Sequence, residues 1–212
     1  MEISWIGHSC FRLKGKAVTV ITDPYETTAT GLKLPKLSGD VVTVSHSHPD
    51  HANYSVVELH PYVIAGPGEY EVKGVNVVGV SSFHDEKNGE ERGKNTIYNI
   101  SVDGINIVHL GDLGHTLSTE QLEEMGNADI LLIPVGGVYT IDAHAAAKIA
   151  AELEPKIIIP MHYKVEGLKY ELDAVGKFLK ELGAENTLPV PKLQITKEKL
   201  PEETQVVLLE RG

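Results

Sequence analysis

Cysteine is nearly absent: Cys10 stands alone in 212 residues, so no intrachain disulfide can form and a reducing compartment is expected. Uncharged apolar runs of about 18 residues are also missing, which leaves nothing that reads as a membrane-spanning helix. The opening MEISWIGHSCFRL has no basic segment followed by an apolar stretch, so no signal peptide is legible either. Basic residues are scarce, with 19 lysines and arginines against 30 acidic residues and a net charge of −11. The resulting negative field repels phosphate backbones and anionic lipid surfaces. Nucleic acid and membranes are therefore disfavoured as partners, a small molecule is expected instead, and the expected location is cytoplasmic. The composition is 42% hydrophobic, enough to bury one sizeable core, and residues 1–212 are read as one domain.

The first half of the chain carries β-branched runs bounded by Gly, Pro, Asp and Asn, which predict strands at 3–6, 17–22, 41–45, 63–65, 75–81, 96–102 and 105–110. Asp103-Gly104 reads as a two-residue hairpin turn between the last two. A short helix is predicted over 54–59. In the second half helices and strands alternate. Ser118 with Gln121 forms a capping box ahead of a helix ending near Gly126, and 130–134 is an apolar strand. Asp142 caps a helix over 143–153, Pro155 closes it, and a strand follows over 156–160. Leu172, Val175, Leu179 and Leu182 mark the apolar face of a third helix, stopped by Gly183. The strongly polar segment 85–94, DEKNGEERGK, reads as a solvated, mobile hairpin loop, with a lid above the site as the alternative.

Immediately after the strand predicted at 41–45, the segment His46-Ser47-His48-Pro49-Asp50-His51 packs three imidazoles and a carboxylate into six residues. Imidazole nitrogen and carboxylate oxygen are the usual donors to zinc and similar cations, and a loop at a strand end can aim several side chains at one space. Isolated histidines are commonly surface or core residues without a ligand, but four donors crowded in one turn need a common cause. The metallo-β-lactamase superfamily has His-x-His-x-Asp-His after a strand as its signature, and this segment resembles it at every position.

That resemblance implies an α/β fold, a four-layer αββα sandwich, with further ligands at later strand ends: His84, Asp112 and His162. Carried over position by position, it implies that His46, His48 and His84 hold one metal, that Asp50, His51 and His162 hold a second, and that Asp112 bridges them. The cofactor is then two divalent ions, zinc first, with manganese or iron as the other candidates. A water shared by the ions would be the nucleophile, in a hydrolase acting on an ester, lactone or phosphoester, with Asp50 and Asp112 at the catalytic centre. Asp23, in the turn Thr22-Asp23-Pro24, resembles the family's early aspartate, which supports the ligand loop from behind. Locally it is also an ordinary Asp-Pro turn. The segments WIGHSCF, GDLGH, PVGGVYTIDA and IIIPMHY are similar to the small bacterial and archaeal hydrolases related to ascorbate-6-phosphate lactonase, a likeness that implies fold and metal site but no substrate.

His8 and His115 lie close in sequence to these motifs, and each is a candidate to face substrate or supply a proton, His115 being counted with the catalytic residues. His60, His109 and His144 read as structural, and Cys10 as a small core residue. Gly136-Gly137 is either a backbone wall of the pocket or a turn required by chain geometry. Arg92, Lys94 and Lys164 are candidate substrate contacts, because two divalent ions can dominate the local field and admit a small anion despite the net charge. Two alternatives stand beside the hydrolase. One is a non-catalytic metal-binding protein on the same fold. The other is a di-iron oxidoreductase, disfavoured because that branch has glutamate where His48 stands and adds a flavin domain.

Overall fold

Two mixed β-sheets share one core in the computed structural model, which describes residues 1–212. The first sheet has the order Leu193–Gln194, Glu2–Gly7, Cys10–Lys14, Thr19–Thr22, Val41–Thr43, Tyr62–Ile64. Its early strands pair antiparallel, and Thr19–Thr22, Val41–Thr43 and Tyr62–Ile64 pair parallel. The second sheet has the order Gln205–Val206, Ile157–Met161, Ile130–Pro134, Ile105–His109, Lys94–Val102, Val75–Phe83, Gly68–Val72. There the first four strands are parallel and the last three join as antiparallel hairpins.

Period-two alternation decides which side chains meet. Val20 and Val41 point into the core shared with the second sheet, while their neighbours Ile21 and Val42 join a smaller apolar cluster on the opposite face. Ile130–Pro134 and Ile157–Met161 are buried at every position, as parallel strands covered on both faces are. Their outer cover includes the helix Ala143–Leu153, which contributes Ala143, Ala146, Ile149 and Ala150 to the core and packs against the helix Gly176–Glu181. The outer face of the first sheet is covered differently. One helical turn, Thr27–Thr30, a two-stranded ribbon of Leu37–Ser38 with Val57–Glu58, and the side chains Tyr25, Leu32, Leu168 and Leu172 take the place of long helices. The αββα sandwich thus has one full helical layer and one reduced to loops.

Several local readings of the sequence are met. The Ser118/Gln121 capping box opens the helix Thr119–Met125, the Asp142 side chain caps Ala143–Leu153, and Asp103 and Gly104 both take positive φ in the hairpin. Others are revised. The helix predicted over 54–59 is a single 3-10 turn, Tyr54–Val56, followed by strand. Leu59 and His60 take φ of 75° and 50°, values that no helix accommodates. The third helix is shorter than predicted, Gly176–Glu181, because Leu172 packs on the first sheet instead. Six strands lie outside the predicted ones, four of two residues each and two longer. Cys10–Lys14 is short and carries Arg12 and Lys14, and Gly68–Val72 is an edge strand whose Glu69 and Glu71 face water.

The pairing directions have one consequence for function. Glu2–Gly7, Thr19–Thr22 and Val41–Thr43 all run the same way in the first sheet, as do Val75–Phe83, Ile105–His109, Ile130–Pro134 and Ile157–Met161 in the second. Residues just past their carboxyl ends are His8, Asp23, His46, His84, Asp112, Gly136 and His162. Carboxyl strand ends are where open α/β sheets place ligands. As a check on the shared core, Ile107→Ala removes a fully buried side chain between the sheets. It should cost about 2–5 kcal/mol in urea unfolding with an unchanged m-value, and a loss below about 1 kcal/mol would contradict this packing.

Candidate metal centre

The histidine loop is held from behind. Asp23, fully buried at φ 38°, accepts hydrogen bonds from the Ser45 amide at 2.8 Å and the Ser45 hydroxyl at 2.5 Å, and contacts His51 Nδ1 at 2.9 Å. Ser45 Oγ in turn lies 3.0 Å from His46 Nδ1. Between these points the chain turns tightly, with the amides of His51 and Ala52 donating to the His48 carbonyl. Burial opposes the charge on Asp23, but His51 beside it holds the carboxyl below its usual range.

The donors converge on Asp112. Its Oδ2 is 3.2 Å from His51 Nε2, 3.2 Å from His84 Nε2 and 3.1 Å from His162 Nε2. Those three imidazoles come from three different strand ends, and all four groups are at most 3% exposed. Asp112 is itself fixed, its amide donating to Asn95 Oδ1 at 3.0 Å. His46 Nε2 lies 3.0 Å from His48 Nδ1. The donor atoms of His46, His48 and His84 fall within 4.8 Å of one another, as do those of His46, His51 and Asp112, and those of His8, His51 and His162. The group expected to hold the first metal is therefore together. In the second group His8 appears beside His51 and His162, and Asp50 meets His8, Nε2 to Oδ2, at 3.2 Å.

These residues fit a metal. His51 Nε2 and Asp112 Oδ1 are buried without hydrogen-bond partners, costly unless another group engages them. Burial pushes His46 down to about 3, so it is neutral at pH 7, the form that ligates cations, and burial with neighbouring His162 pushes His8 down to about 4. Burial also opposes charge on His51, yet Asp112, Asp23 and Asp50 around it raise its proton affinity well above the ordinary value. Three carboxylates about one imidazole form a charge arrangement that a divalent cation balances. Two glycines permit the close approach. A Cβ at Gly114 would collide with the His84 and Asp85 backbone, and one at Gly136 with the His162 carbonyl, which gives Gly136 a role in chain geometry.

A cavity of about 300 Å³ opens on Asp50, His84, Asp112 and His162, and is also lined by Arg92, Tyr139 and Tyr170. The Arg92 guanidinium lies 5.9 Å from the Tyr139 ring centre. Burial, with Asp50 adding to it, pushes Tyr170 up to about 12, so its phenol stays protonated. Tyr170 was not legible as a site residue, since no motif surrounds it. Lys164 does not reach this cavity. Its Nζ donates to the Tyr170 carbonyl and pairs with Glu171 at 3.3 Å, anchoring the following loop. His115 is not brought to the cluster either. Its Nε2 accepts the Phe83 amide at 3.1 Å and its Nδ1 faces the Thr116 carbonyl at 2.7 Å, so both ring nitrogens are engaged and the catalytic role expected of it finds no support in this placement. His109 is fully buried and bonded to the Ser9 carbonyl, a structural histidine as read.

The polar loop 85–94 is not free. Asp85, 3% exposed, turns its carboxylate into the loop and accepts the amides of Lys87 and Gly89 on one oxygen and of Glu91 and Arg92 on the other, at 2.7 to 3.0 Å. Burial would raise its pKa, but these four N–H donors hold it at about 2. A depressed carboxyl contributes stability that is complete above the ordinary value of 3.8 and is lost as the pH falls through about 2. Amide exchange at residues 87–92 should therefore stay protected down to pH 4 on a scale of about one unit and rise below it. Asp85→Ala should expose the same amides at pH 7, and unchanged exchange in that variant would remove the clamp.

Residues 2–162 match the family described as a β-lactamase superfamily domain, a span that includes the histidine loop, His84 and Asp112 and ends on His162. A UPF0173 metal-dependent hydrolase from Thermococcus onnurineus is 30% identical over 191 residues, covering 77% of this chain and 84% of that protein. Another from Thermoplasma acidophilum is 31% identical over 188 residues, covering 77% and 83%. A solved structure from Thermotoga maritima, a candidate Zn-dependent hydrolase of the metallo-β-lactamase superfamily, is 40% identical with a TM-score of 0.82, covering 98% of this chain and 97% of that one. Sequence and fold agree, and the chain belongs to the metallo-β-lactamase superfamily.

Proposed function

We propose that residues 1–212 form a single-domain, two-metal hydrolase that cleaves an ester, lactone or phosphoester bond in a small substrate. The observation that carries this reading is the meeting of His51, His84 and His162 at one oxygen of Asp112. His46, His48 and His84 would hold one ion, Asp50, His51 and His162 the other, with Asp112 between them. A donor set of imidazoles and carboxylates without sulfur suits zinc first, and also manganese or iron. When bound, such ions would supply a water nucleophile at neutral pH and offset the charge developing on the attacked bond.

The chain's own groups do the rest. Asp23 orients His51 through Nδ1, Ser45 braces His46, and Asn95 sets Asp112, so the donors are placed before any ligand arrives. Arg92 is the one lysine or arginine lining the cavity, and its planar fork suits a carboxylate or phosphate on an anionic substrate. The Tyr170 phenol, protonated at neutral pH, is a donor on the same wall. A cavity of about 300 Å³ suits a small molecule, and the charge of −11 disfavours a long polyanion. No helix is long and apolar enough to cross a membrane, and a reducing cytoplasm suits the single buried thiol.

Elemental analysis of the purified protein should find about two transition-metal ions per chain, and a panel of phosphodiester, lactone and thioester substrates should reveal turnover that a chelator removes. Asp112→Ala should lose metal and turnover by more than the roughly 10–100-fold typical of groups that only support a ligand. A metallated, active Asp112→Ala protein would defeat the scheme. Full metal without turnover on any substrate would move the reading to a non-catalytic metal-binding protein.

A further inference from the structure

His8 has no part in the chemistry above, yet the fold holds it under strain beside the cluster. It follows the strand Glu2–Gly7, is 1% exposed, and has φ of 54°, a conformation unfavourable for a residue with a Cβ. Its carbonyl accepts the Trp5 indole N–H at 2.9 Å and the His162 amide at 3.2 Å, so its backbone is tied to that of a ligand. Its ring centre lies 4.2 Å from that of His162 and 4.9 Å from that of His51. Nε2 faces Asp50 Oδ2 at 3.2 Å, while Nδ1 is buried with no partner.

The surroundings of the two ring nitrogens favour one neutral tautomer of His8. A proton there would be buried without an acceptor, whereas a proton on Nε2 has the Asp50 carboxylate in front of it. With a donor occupying that site, Nε2 has no lone pair for a cation. Asp50 needs such a donor. A carboxylate turns freely about its last bond, and a fixed hydrogen bond to one oxygen selects the orientation in which the group faces the ion. We propose that His8 is a positioning residue of the metal centre, which donates Nε2–H to Asp50 Oδ2 and so locks the Asp50 carboxylate in the orientation that faces His51. This rests on the reading of the cluster as a two-metal site.

The test is zinc binding by the chelator-stripped full chain, measured by competition with a chromophoric chelator, for wild type, His8→Ala and His8→Gln. Both substitutions meet the same backbone strain, but the glutamine amide can place an N–H donor where Nε2–H lies. His8→Ala should weaken one of two zinc ions by roughly 10–100-fold and leave the other unchanged, and His8→Gln should recover most of that loss. In an Asp50→Asn background, His8→Ala should have no further effect. Equal losses in His8→Gln and His8→Ala would make His8 a direct ligand and overturn the inference. So would wild-type affinity in His8→Ala, or an undiminished effect in the Asp50→Asn background. Nitrogen NMR of the zinc-loaded wild type keeps the question open to refutation if the variants do not fold: a protonated His8 Nε2 is expected, and a zinc-bound Nε2 would overturn it. Wild type that binds no zinc would instead defeat the two-metal reading itself.

Discussion

A single buried carboxylate, Asp23, ties the turn after Thr19–Thr22 to both ends of the histidine loop. It takes the Ser45 amide and hydroxyl at the loop's start and His51 Nδ1 at its end. With no solvent to share, each of those bonds has to be made within the protein, and together they leave the loop one conformation. The imidazole of His51 is thereby turned so that Nε2 faces Asp112. Asp112 then serves as the meeting point for His84 and His162, which arrive from the other sheet. A loop on one sheet and strand ends on the other can close on a common centre only because this bracket holds the first set still.

Such a centre costs stability and is supported by the rest of the fold. Several buried imidazoles and carboxylates in mutual contact replace apolar packing that the core supplies elsewhere, and strained backbone at His8, Asp23 and His162 adds to the cost. The compensation is a continuous apolar core between two sheets, with strands such as Ile130–Pro134 and Ile157–Met161 buried throughout. Close backbone approach at Gly114 and Gly136 brings together the strand ends that carry His84 and His162 without intervening side chains. Cation binding would couple to this arrangement, since donors gathered in the folded state are dispersed in the unfolded chain.

The loop 85–94 illustrates how composition misleads. Its charged sequence reads as solvated and mobile, and most of its side chains are indeed in water. Asp85 is the exception, turned inward to accept four amides, and it holds Arg92 in place at the cavity. Composition averages over the loop and cannot single out the one carboxylate that faces its own backbone. For His115 too, position in the sequence says less than placement in the fold. Proximity in sequence to Asp112 suggested chemistry, but the chain turns at Gly114 and commits the ring to the Phe83 amide and the Thr116 carbonyl.

The sequence alone determined the chemistry of the donors and their order along the chain. His46, His48, Asp50 and His51 are local in sequence, and donors that share one turn need no long-range information to be recognised. Local rules also sufficed for the caps at Ser118 and Asp142 and for the Asp103-Gly104 hairpin, because each depends on residues within a few positions. Tertiary structure alone decided what meets what. It brought His8, 42 residues from Asp50 in sequence, into contact with that carboxylate, placed Tyr170 on the cavity, and withdrew Lys164 and His115 from it. It also left the first sheet with loops where a helical layer was expected. Those outcomes follow from strand pairing and from which side of each sheet a residue faces, and one shift in register reverses every one of those facings.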